Sequence, residues 1–147
     1  MNKSEVIQRI RDIGVIPVVR ASSADEAIRV VEAIKAGGVS LLEITMTVPG
    51  AVQVIEQLTK RFGDEATVGA GTVLDPETAR ACIDAGAKFI VSPALNLDTI
   101  ACCRELDVPV MPGALTPTEI VTAWNAGADS SKFFRAVRWA AQVISSP

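Results

Sequence analysis

Short runs of aliphatic and β-branched residues alternate along this chain with longer stretches whose apolar positions recur at helical spacing. That alternation is the signature of an α/β fold built on a parallel sheet. Residues 15–20 read as the first strand, with Pro17 tolerable near its start. Ser22-Ser23-Ala24-Asp25-Glu26 supplies N-cap hydroxyls and early acids for a helix to Lys35, with Ala27, Val30, Val31 and Ile34 on its apolar face. Gly37-Gly38 stops it. The cycle repeats as strand 39–45, helix 51–62, strand 67–72 and helix 76–85, then strand 88–92, helix 97–106 and strand 108–111. Thr116-Pro117-Thr118-Glu119 is a capping box with proline at the first helical position, so a helix is expected to about Ala126. A sixth strand is expected to end in Lys132-Phe133-Phe134.

Glycine followed by a small residue and then a strand closes several helices, at Ala36-Gly37-Gly38, Ala85-Gly86-Ala87 and Ala126-Gly127-Ala128. The repeating unit is therefore one strand and one helix in about 20 to 25 residues. Two architectures fit such a repeat. A doubly wound open sheet would spread its strand ends in a line, and no Gly-x-Gly-x-x-Gly follows the first strand. A (β/α)8 barrel of TIM type would gather Arg20, Glu43, Thr45, Thr72, Ser92 and Lys132, all at strand C-terminal ends, around one mouth. The barrel is the better expectation. An eight-stranded barrel needs about 200 residues or more, so the reading is of an incomplete barrel of about six β/α units.

Composition mostly removes alternatives. Apolar residues make up 49% and charged residues 21%, which suits one globular domain. The net charge of −3 is spread without a basic cluster, which argues against nucleic acid as a partner. Neither a membrane-length apolar run nor a signal-peptide layout is present, so a cytoplasmic protein with no membrane partner is expected. Cys82, Cys102 and Cys103 lack metal or disulfide spacing and read as reduced helix residues. There is no histidine, so Ser-His-Asp and Cys-His triads and the common zinc sites are excluded. No metal and no cofactor are expected.

Two residues stand out against this background. Glu43 lies within Leu41-Leu42-Glu43-Ile44-Thr45, and a carboxylate in so apolar a strand is costly unless it is paired or used. Alternation puts Leu41, Glu43 and Thr45 on one face, taken as the barrel interior; a surface-facing acid is the other possibility. Lys132 adjoins Phe133-Phe134, and an apolar setting favours the neutral, nucleophilic amine. A solvated lysine at a strand end is its bland counterpart. Together they suit Schiff-base chemistry on a keto acid. Gly69-Ala70-Gly71-Thr72 suggests close backbone approach to a ligand or a neighbouring strand, with one hydroxyl. Arg20 is either an anion clamp or a surface charge, and Pro93 and Pro112-Gly113 punctuate loops.

In order and spacing, Arg20, Leu42-Glu43-Ile44-Thr45, Gly69-Ala70-Gly71-Thr72-Val73, Ser92-Pro93, Met111-Pro112-Gly113, Thr116-Pro117-Thr118-Glu119 and Lys132-Phe133-Phe134 closely resemble the 2-keto-3-deoxy-6-phosphogluconate and 4-hydroxy-2-oxoglutarate aldolases. The resemblance implies a (β/α)8 barrel, usually a homotrimer, that cleaves a 2-keto-4-hydroxy acid to pyruvate and an aldehyde. It places Lys132 on the Schiff-base lysine and Glu43 on the general acid/base. Thr72 and Pro93 fall on pocket residues near the pyruvyl group, and Arg20 on a carboxylate-binding arginine. Some members carry an arginine after the glutamate strand; this chain reads Thr45-Met46-Thr47-Val48-Pro49, a version other members share.

The resemblance covers about residues 5–134, so 1–134 is read as a partial barrel and 135–147 as a non-family tail. Loss of one cytosine before the Arg135 codon would generate such a tail, because the restored frame accommodates the family's Phe-Phe-Pro and Val-Gly-Gly-Pro. A genuine short protein ending in an added helix is the alternative. The functional alternative to an active aldolase is a catalytically inactive truncated fragment or assembly module of the same fold. A phosphate-sugar isomerase fits less well, since a lysine in this setting suits an imine better.

Overall fold

The computed structural model describes residues 1–130. The expected sixth strand, Lys132 and the tail from Arg135 lie outside the described residues. In chain order the elements are α1 Lys3–Ile13, β1 Val18–Val19, α2 Ala24–Ala36, β2 Leu41–Thr45, α3 Ala51–Phe62, a 3-10 turn Gly63–Glu65, β3 Thr67–Gly71, α4 Pro76–Asp84, β4 Ile90–Val91, α5 Leu97–Glu105, β5 Val110–Met111 and α6 Pro117–Asn125. The strands form one parallel sheet in the order β1-β2-β3-β4-β5. A doubly wound sheet reverses its order at a switch point. Strands that follow one another without reversal are part of a (β/α) barrel.

The two faces of the sheet have different company. Leu42, Ile44, Val68, Ala70, Ile90 and Val110 pack outward against Ala27 and Val31 of α2, Val54, Ile55 and Leu58 of α3, Ala79 and Cys82 of α4, and Ile100 and Cys103 of α5. Leu41, Phe89 and Val91 face the other way and meet Val6, Ile10 and Ile13 of α1. The interior therefore has its own small core, closed by α1 at the N-terminal ends of the strands. Burying a ring such as Phe89 contributes about 1.5–3 kcal/mol.

The sequence reading did not assign α1, which precedes the first β/α unit. It starts on an Asn2/Glu5 capping box and ends at Gly14, whose φ of 72° is left-handed. Arg9 fastens it to the barrel by donating to the Asp64 and Glu65 carbonyls and to Ser40 Oγ. Lys3 adds an ion pair to Asp129 at 3.0 Å. That Asp129 also lies along the free edge of β5: its backbone N–H donates to Val110 O at 3.1 Å, and its carboxylate accepts from Val110 N at 3.0 Å. The chain thus reaches the place of a sixth strand at the last described residues.

Among the described residues, four helices end in one way. Val39, Ala87, Val108 and Ala128 each donate a backbone N–H to the carbonyl five residues back, with a left-handed residue just before them. That residue is Gly38, Gly86 and Gly127 in three cases, but Asp107, at φ 54°, in the fourth. Asp107→Gly is expected to stabilise the fold by about 0.5–1 kcal/mol by removing the left-handed penalty. A rise in the urea midpoint at unchanged slope would show it; no rise would mean that the aspartate adapts there without cost.

Candidate active site

The C-terminal ends of the strands make the mouth, and the β2–β3 ladder sets its geometry. Glu43 pairs with Gly69 and Thr45 with Gly71, so these two interior residues of β2 look across at a strip of backbone. Glu43 is 2% exposed, on the face opposite the helices. A Cβ built on Gly71 would fall on the Glu43 carboxylate, and one built on Gly69 would fall within the Phe89 ring. Neither glycine has a positive φ. Space, not backbone freedom, is why glycine stands at both. The expected close approach is therefore made by two neighbouring side chains. Gly71 gives room to Glu43 from β2 and Gly69 to Phe89, the residue just before β4.

Thr72 departs from its expected place. Residues 67–72 were read as strand, but β3 ends at Gly71 and Thr72 has φ 62°, a left-handed conformation unusual for a β-branched residue. The ladder shows why. Ala70 N donates to Phe89 O, and the next donation, to Val91 O, comes from Val73 rather than Thr72. One residue has been inserted, a bulge of the kind that re-aims side chains beside sites. Val73 stays in the outer core, while Thr72 is half-buried with a hydroxyl that makes no hydrogen bond among the described residues. A strained residue over-determined by its neighbours points to a site.

The other candidates divide. Arg20 follows β1 at the mouth, exposed and without an ion pair or hydrogen bond among the described residues. Pro93 is half-buried after β4, and its carbonyl lies where a Cβ on Gly113 would fall, so the loops after β4 and β5 are in contact. Ser92, a polar strand-end residue in the sequence, is spent on that turn: its Oγ donates to Ala94 O at 2.9 Å and accepts from Ala94 N. Lys132 lies outside the described residues, so the structure brings together Glu43 with Gly71 and places Arg20, Thr72 and Pro93 on the rim.

A hydroxyl pair escaped the sequence reading. Thr45 Oγ1 donates to Val19 O at 3.2 Å and lies 2.6 Å from Thr47 Oγ1, joining the ends of β1 and β2. Threonines at positions i and i+2 at a strand end were the available signal. The cysteines are free and buried on α4 and α5. Burial, then the nearby Asp75 charge, pushes the Cys82 thiol up to about 11, and burial foremost takes Cys103 to about 12. Neither is a nucleophile near neutral pH. No helix among the described residues is long and apolar enough to cross a membrane.

Comparison with known proteins agrees with this geometry. A family model described as KDPG and KHG aldolase matches residues 6–143. The KHG/KDPG aldolase of Escherichia coli is 36% identical over 122 residues, covering 83% of this chain and 57% of that protein. The 2-dehydro-3-deoxy-phosphogluconate aldolase of Treponema pallidum is 36% identical over 132 residues, covering 90% and 61%. Among solved structures, the Legionella pneumophila KDPG aldolase with pyruvate captured as a covalent carbinolamine superposes with a TM-score of 0.78 at 30% identity, covering 88% of this chain and 65% of that one. The chain spans about three fifths of the length of these curated relatives. With a parallel barrel sheet, a glutamate buried in its interior and matches of this extent, the chain belongs to the KDPG and KHG aldolase family.

Proposed function

We propose that this chain carries a class I aldolase site that cleaves 2-keto-3-deoxy-6-phosphogluconate, or 4-hydroxy-2-oxoglutarate, to pyruvate and an aldehyde. The observation that carries the reading is Glu43, a carboxylate buried on the barrel's inner face in a niche that Gly71 leaves open. A carboxylate on the inner face of a barrel strand, at the C-terminal mouth, stands where folds of this type hold their active sites. The family resemblance supplies Lys132 as the amine that would work with it.

The chemistry balances with these groups. The neutral Lys132 amine adds to the C2 carbonyl of the substrate, and the carbinolamine loses water as Glu43 supplies a proton to the departing hydroxyl. Glu43, now ionised, takes the proton of the C4 hydroxyl. The C3–C4 bond breaks, its electron pair flows into the imine, and the aldehyde leaves. A proton returned to C3 of the enamine gives the pyruvyl imine, which water hydrolyses to pyruvate and free lysine. Arg20 holds the carboxylate, and Thr72 and Pro93 shape the pyruvyl pocket. The same reading carries a cytoplasmic homotrimer.

The test is a mass spectrum of the full chain after pyruvate and borohydride, with peptide mapping and a native spectrum for the assembly. The expected result is one reduced pyruvyl group on Lys132, formed about a hundredfold or more slower in Glu43→Gln. A chain of correct mass with no adduct would instead identify an inactive member of the fold.

A further inference from the structure

The mouth beside β4 and β5 is held by contacts other than the ladder. Ser92 N donates to Met111 O at 3.1 Å, and past that bond neither Pro93 nor Pro112 has an N–H to give. The Pro93–Ala94 peptide is held from two sides instead. On one, the Ser92 hydroxyl accepts from Ala94 N at 3.3 Å and donates to Ala94 O at 2.9 Å. On the other stands the buried Gly113, where a Cβ would fall on Pro93 O and Pro93 C and lie 2.9 Å from Ala94 N.

All the atoms such a Cβ meets belong to backbone, so no change of rotamer makes room for it. Gly113 has no positive φ, so space again is why glycine stands there. Any side chain at 113 must displace the Pro93 carbonyl, and the Pro93 ring moves with it. Glu43 is on β2, two strands from this contact. We infer that Gly113 is a positioning residue, acting through Pro93 on the fit of the pyruvyl group. This inference rests on the aldolase reading above, in which Pro93 shapes the pyruvyl pocket. A well-placed ligand wall needs such support from behind.

The experiment follows borohydride trapping of the full chain across pyruvate concentrations. Gly113→Ala is expected to raise the half-saturating pyruvate concentration about tenfold, with the rate at saturation within about twofold of the parent's. Ser92→Ala loosens the same peptide without crowding it and is expected to raise half-saturation about threefold. Gly86→Ala is the control: it crowds Thr59 at the other end of the barrel and should lower the urea midpoint with half-saturation unchanged. An unchanged half-saturation in Gly113→Ala, or in Ser92→Ala should Gly113→Ala fail to fold, overturns the inference. An equal rise in Gly86→Ala, or a loss confined to the saturated rate, does the same. With pyruvate trapped on Lys132 in the parent, the aldolase reading survives those results and only the role of Gly113 is lost. With no trapping in the parent, both fall.

Discussion

Gly71→Ala is expected to lower the rate of pyruvate adduct formation at least as far as Glu43→Gln does, by about 10²-fold or more. The added methyl would occupy the position of the Glu43 carboxylate, so the acid must leave its niche or the two strands must part. Either costs stability, about 1–3 kcal/mol for overpacking alone, with displacement of a buried polar group added to it. The pair of variants separates space from chemistry. Glu43→Gln keeps the shape and should unfold in urea near the parent's midpoint, while Gly71→Ala should lose both rate and midpoint. A Gly71→Ala protein with parent-like trapping kinetics would mean that Glu43 works from some other position.

The second large effect concerns the interior core. Phe89→Ala is expected to cost about 3–5 kcal/mol, because the ring is fully buried between β3 and α1. Against a usual total of about 5–15 kcal/mol, that brings the fold close to its limit. Gly69→Ala should cost about 1–3 kcal/mol by the opposite route, driving a methyl into the ring. The two changes compensate: in the double variant the methyl enters the space the ring has left. The double variant should therefore be at least about 1 kcal/mol more stable than the sum of the single costs predicts. Strict additivity in urea unfolding would show that Gly69 and Phe89 are not the matched pair that the geometry describes.

Periodicity carried most of the architecture. Helix α3 was read at its true ends because an apolar stripe is bracketed by Gly50 and Gly63, and the Thr116–Glu119 box marked the start of α6. The strands β1, β4 and β5 are shorter than their hydrophobic runs, since apolar residues continue past the last ladder bond: Ile16 packs on α1 without joining β1. The helix α1 had legible signals in Asn2, Glu5, Val6, Ile10 and Ile13, but it lies outside the repeat that organised the reading. Within the site, Glu43 was visible because a charge in an apolar strand is an anomaly in one dimension. The purposes of Gly69 and Gly71 were not, because which side chain lies across from a glycine is a matter of register between strands. The bulge at Thr72 is hidden for the same reason, an inserted residue having no mark in composition.

The fastening of α1 bears on how the chain comes together during synthesis. Its neighbours in space are Ser40, Asp64, Glu65 and Asp129, the last of them 126 positions after Lys3 in the chain. Successive β/α units bury their surfaces against units made just before them, so they consolidate as they emerge. Of the described helices α1 leaves the ribosome first, yet its partner Asp129 is made only after α6. Contacts of such sequence separation are slow to close. Until β4 has been made, Val6, Ile10 and Ile13 lack Phe89 and Val91, so α1 precedes in synthesis the residues that secure it.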